Sequence, residues 1–77
     1  MEISNYIRQF EISHGTLIYT PSDEIILITK ADTFVGKVTS RGIYAQANRF
    51  SRKTKSEIAE LLTDAHNEVK KIIENSK

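Results

Sequence analysis

Residues 54–75 read TKSEIAELLTDAHNEVKKIIEN. Within them Ile58, Leu61, Leu62, Ala65, Val69, Ile72 and Ile73 recur at helical spacing. At about 100° per residue they fall in an arc of roughly 120°, the apolar stripe of a helix lying on a core. Glu57, Glu60, Asn67, Lys70, Lys71 and Glu74 lie outside it. Thr54 with Glu57 forms a capping box, in which each side chain satisfies the other's backbone N–H. Lys70 and Lys71 lie toward the far end, where the helix dipole favours cations. The spacing predicts one long amphipathic helix over about 54–75. Such a helix must rest on something, so the residues before it decide the fold class.

Those residues read as strands. Thr16–Thr20, Ile25–Thr29, Phe34–Thr39 and Ile43–Gln46 are rich in β-branched and aromatic residues. Turn chemistry separates them. Pro21-Ser22-Asp23-Glu24 suits a four-residue loop with Pro21 presetting φ, and Lys30-Ala31-Asp32-Thr33 makes a second of like length. Ser40-Arg41-Gly42 fits a three-residue hairpin with Gly42 in the left-handed region. Short loops force antiparallel neighbours, so the expectation is a four-stranded meander. Further upstream, Ile3, Tyr6, Ile7 and Phe10 fit a helical period, whereas Phe10-Glu11-Ile12 alternates like a strand. The favoured reading is a short helix over 2–11, broken by Ser13-His14-Gly15. The predicted order is α-β-β-β-β-α, an α+β domain spanning 1–77.

With those loop lengths Ile18, Ile25, Leu27, Phe34, Gly36, Val38, Ile43 and Ala45 share the face that receives the long helix. The other face would carry Leu17, Tyr19, Ile26, Ile28, Val35, Lys37, Tyr44 and Gln46, a surface too apolar to be left bare. Either the first helix covers it through Ile3, Ile7 and Phe10, or a partner does. Helix length adds to the partner reading: about 20 residues make ~30 Å, against ~17–20 Å for a strand. The overhang would expose Val69, Ile72 and Ile73. The expected interface of a homo-oligomer, a dimer in the simplest case, or of a complex with another protein is therefore Val69, Ile72, Ile73, Leu17, Tyr19, Ile26 and Ile28. One slip of register would exchange the two faces.

Composition bounds the chemistry. The chain has 77 residues, 39% hydrophobic and 27% charged, with no cysteine and a formal net charge of +1. It therefore has no disulfide and no thiolate metal site, as expected of a cytoplasmic protein. No apolar run approaches the ~20 residues of a membrane span, and the start Met1-Glu2-Ile3-Ser4-Asn5 is unlike a secretory signal. Compact cysteine-free chains rich in Ile and Lys are plausible bacterial or phage products. His14 and His66 are the only histidines, and no third ligand is spaced to join them in a metal site. Ser13 and His14 adjoin in sequence with no third group to orient them, and Gly15, Gly36 and Gly42 form no phosphate loop. The expectation is a non-enzyme with no cofactor and no metal.

The near-neutral total hides a basic middle. Residues 33–55 hold six cations, Lys37, Arg41, Arg49, Arg52, Lys53 and Lys55, and no acid, between segments of net charge −3 and −2. Arg52-Lys53 before a helix N-terminus suits a phosphate, and Tyr19 and Tyr44 on an open sheet face would stack bases. Nucleic-acid binding through this patch is the alternative function, with an acidic protein surface as an equal target. At Ser51-Arg52-Lys53, opening a helix after a sheet, the chain faintly resembles double-stranded RNA-binding domains, whose order is α-β-β-β-α. The resemblance covers those three residues and the element order. Lys55 stands where that family has alanine and one strand is extra, so its function is not carried over.

Overall fold

The computed structural model describes residues 8–49 and 51–75. Along them five strands precede one helix: β1 Arg8–Ile12, β2 Gly15–Tyr19, β3 Glu24–Ile28, β4 Thr33–Thr39, β5 Gly42–Ala45 and α1 Lys55–Asn75. The strands pair antiparallel in chain order, and α1 crosses one face of the sheet. The fold is α+β, with one strand more than expected. That strand count also removes the likeness in element order to double-stranded RNA-binding domains.

The helix forms where its spacing placed it. Thr54 N donates to Glu57 Oε1 at 2.8 Å, and Glu57 N donates to Thr54 Oγ1 at 3.2 Å, completing the capping box. Ile58, Leu62, Ala65 and Val69 are buried against Leu17, Ile25, Leu27 and Phe34, and these eight form the core among the described residues. Full burial of one large aliphatic or aromatic side chain is worth ~1.5–3 kcal/mol. Gly36 lets the helix seat closely: a Cβ there would come within 2.6 Å of Leu62 Cδ1 and 2.9 Å of the Tyr44 carbonyl oxygen.

The helix expected over 2–11 is corrected where it can be compared, since Arg8–Ile12 is strand. The rest of that expectation, in 1–7, lies outside the described residues. Phe10 and Ile12 pack toward the core while Gln9 and Glu11 are exposed, a period of two. Ser13-His14 closes a two-residue hairpin that pairs Ile12 with Gly15 and Phe10 with Leu17. Pairing with β2 gives the backbone of β1 hydrogen-bond partners that one short helix would leave to solvent at its ends.

A second correction comes from the β2–β3 turn. Asp23 N donates to Thr20 O at 3.3 Å, Thr20 N donates to Glu24 O at 3.0 Å, and Asp23 has φ 62°. This is a three-residue loop, Pro21-Ser22-Asp23, with its last residue left-handed. It aligns Tyr19 with Ile25 and Leu17 with Leu27. A four-residue loop would have aligned Ile18 with Leu27, so the one-residue difference turns β2 over. Leu17 and Tyr19 lie under the helix, and Ile18 lies on the opposite face. The β4–β5 connection is likewise one residue shorter than expected: Ser40-Arg41 forms the turn, and Gly42 pairs with Thr39 at φ +130°. Thr20, Thr29 and Thr39 each turn a hydroxyl back onto the loop that follows.

Candidate interaction surfaces

The face of the sheet away from α1 is built in rows by the strand register. One row runs Gln9, Ile18, Ile26, Val35 across β1 to β4, and Gln46 N extends it by donating to Val35 O at 2.8 Å. A second runs Glu11, Thr16, Ile28, Thr33, and a third joins Glu24, Lys37 and Tyr44. Three branched aliphatics thus form a central band, with Ile28 at 42% exposure on one side and Tyr44 at 57% on the other. Thr16 Oγ1 donates to Glu11 at 3.2 Å, which ties off the polar end of the second row. An antiparallel sheet with one solvated face normally alternates to polar residues there. This face does so only at its margins.

The expected interface residues divide. Ile26 and Ile28 lie on the face away from α1, which the described residues leave open, as anticipated. Leu17 is wholly buried beneath α1, Tyr19 is on the same covered face, and Val69 is core and not overhang. Ile72 and Ile73, near the end of the helix, are 40% and 41% exposed.

The six cations are spread along the fold. Lys37 stands on the open face beside Tyr44, and Arg41 is in the turn at the Thr39 end of β4. Arg49 belongs to the other end, where the neighbouring Asn48 Nδ2 donates to Thr33 O at 2.8 Å. The length of β4 between them is ~20 Å. Arg52, Lys53 and Lys55 are exposed at the approach to α1. There Glu57 places its own carboxylate in the capping box, and the Thr54 backbone N–H and hydroxyl, with Lys53 nearby, hold its pKa below the ordinary 4.5. The helix start thus carries an internal anion where a phosphate was anticipated. Tyr19 lies on the face under α1, which leaves Tyr44 as the tyrosine on the open face. Lys30, which the sequence reading did not single out, joins Arg49 around an open hollow of about 630 Å³ at the β3–β4 turn.

On the helix side, β1, β2 and the later turns of α1 enclose a smaller groove of about 170 Å³, lined by Arg8, Phe10, Tyr19, His66, Val69, Lys70 and Ile73. Phe10 and Tyr19 meet edge to face at 5.9 Å between centroids, and Tyr19 meets His66 at 5.7 Å. Tyr19 Oη lies 2.6 Å from His66 Nδ1. Burial pushes the phenol up to about 12, and burial with the nearby Lys70 lowers the imidazole from 6.5. The phenol therefore keeps its proton and donates it, and the neutral imidazole accepts at Nδ1. His66, on the edge of the helical stripe, is accounted for by this bond.

Ser13, His14 and Glu68 come together as no short-range pattern indicated. Ser13 N donates to Glu68 Oε2 at 2.8 Å and Ser13 Oγ donates to Glu68 Oε1 at 2.6 Å, while His14 Nδ1 lies 3.3 Å from the same Oε1. In a nucleophilic triad the imidazole bridges hydroxyl and carboxylate through opposite ring nitrogens. Here Nδ1 faces both, and the hydroxyl bonds the carboxylate directly. The arrangement is a clasp between the β1–β2 turn and α1. Among the described residues no three His, Asp or Glu side chains gather as metal ligands, and no helix is long and apolar enough to cross a membrane.

Comparison with protein-family models, curated proteins and solved structures finds no match to this chain.

Proposed function

We propose that this protein is a non-catalytic interaction module that self-associates as a homodimer through the open face of its sheet. The observation that carries the reading is the row Ile18, Ile26, Val35, flanked by Ile28 and Tyr44 and left uncovered by α1. A flat apolar sheet face is matched by another of its kind, and two sheets pack face to face at ~10 Å with their side chains interleaved. The net charge of +1 leaves little repulsion between copies. The glutamines at the two ends of the row and the Glu24–Lys37 pair supply a polar margin.

Light scattering on the eluting peak of a sizing column tests it. The wild type is expected at twice the chain mass, and Ile26→Glu at the chain mass with an unchanged circular-dichroism spectrum. A wild-type monomer at millimolar concentration would remove the proposal.

The alternative is a nucleic-acid binder, supported by Lys37 and Tyr44 as cross-strand neighbours on the open face, with Arg41 in the adjoining turn. A fluorescent oligo-dT titrated at low and moderate salt separates the two. Saturable binding that weakens steeply with salt favours the alternative, and no binding at low salt eliminates it.

A further inference from the structure

We propose that the groove between β1, β2 and the later turns of α1 is a second docking site, for an acidic peptide segment that inserts one apolar side chain. The site is on the covered side of the sheet, so it is independent of the dimer reading and compatible with it.

The walls define what enters. Phe10, Tyr19, Val69 and Ile73 present carbon, and Tyr19 Oη and His66 Nδ1 are joined to each other at 2.6 Å. A polar group entering here would lose its hydration and find the Tyr19 and His66 atoms already bonded to each other. An apolar side chain loses nothing by the same step. At about 170 Å³ the groove is well below the 300–1,000 Å³ of a drug-sized ligand site, and it matches a single anchoring side chain. An extended alkyl tail would not fit.

The rim defines what flanks the anchor. Arg8, from the first residue of β1, and Lys70, from α1, both line the groove, and both are exposed. Neither has an acidic partner among the described residues, where the only ion pair is that of His14 with Glu68. Two uncompensated cations on either side of an apolar slot are complementary to carboxylates before and after an apolar residue. The neutral state of His66 keeps the floor of the slot uncharged.

The probe is a fluorescein-labelled Glu-Glu-Phe-Glu-Glu peptide, followed by anisotropy on the full chain. Its counterpart has alanine for phenylalanine. Saturable binding is expected for the first and at least tenfold weaker binding for the second. The double variant Arg8→Glu/Lys70→Glu, changed at exposed positions only, should keep its circular-dichroism spectrum and weaken binding at least tenfold. Methyl chemical shifts locate the peptide: movement at Val69 and Ile73 supports the groove. Movement confined to Ile26 and Ile28 overturns the proposal, as does undiminished affinity in the double variant or no saturable binding at all. Binding of dodecanoate in the groove with none of the peptide would overturn it in favour of a lipid.

Discussion

Asp23, at φ 62°, occupies a backbone region that costs an L-residue roughly 1–2 kcal/mol and glycine almost nothing. Its carbonyl accepts from Val38 N at 2.8 Å, so the turn is tied to β4 as well as to its own strands. Asp23→Gly is therefore expected to raise stability by about 0.5–1 kcal/mol, less than the full relief because glycine also loosens the unfolded chain. Asp23→Val should lower it by at least as much. Urea midpoints of the two variants check this, and opposite signs are the required result. The same residue shows why the sequence does not reveal which face of β2 is buried. Pro21, Ser22 and Asp23 announce a turn by composition, but composition does not say which of them takes positive φ. That choice sets the loop at three residues, and an odd shift in pairing sends Leu17 inward and Ile18 outward.

Between elements, the ties are few and chemically distinct. Glu68 holds the β1–β2 turn on α1, and Ser13's hydroxyl, then its amide, keep the Glu68 carboxyl below its ordinary 4.5. The folded state thus prefers the carboxylate. Its contribution is present in full above pH 4.5 and is lost as pH falls through the lower folded value. His66 is lowered from 6.5 by burial, then by Lys70, so folding prefers the neutral ring. That contribution is present above 6.5 and is lost as pH falls below it. Stability should decline in two steps on acidification. Glu68→Gln is expected to shrink the lower step, leaving the share of Glu57, while His66→Gln flattens the upper one. Denaturant midpoints across pH 3–8 read this directly, and a lower step of undiminished size in Glu68→Gln would rule the clasp out as its source. Long-range pairing of this kind has no local signature. The α1 boundaries do, because a cap and an apolar stripe are written within the helix itself.

For the molecule as a whole, the described residues bury a core of eight side chains, and a domain of 77 residues hides only ~60% of its unfolded surface. A companion that covers the open face would then be part of the stability. A hundredfold rise in protein concentration favours a native homodimer by ~2.7 kcal/mol, which is ~1.4 kcal/mol per chain. The melting temperature should climb by about 5–10 °C over that range. A melting temperature independent of concentration would mean that the sheet face contributes nothing by association. The amino-acid sequence alone determined the long helix, its cap, the β-rich middle with the places but not the lengths of its turns, and the segregation of cations into residues 33–55. Each of these depends on residues within a turn or two of one another. Tertiary structure alone decided that residues 8–12 join the sheet, which side of β2 is buried, that Arg41 and Arg49 sit at opposite ends of β4, and where the groove lies. Those outcomes rest on loop parity and on contacts such as Tyr19 with His66 and Ser13 with Glu68, 47 and 55 residues apart, which only the folded chain brings together.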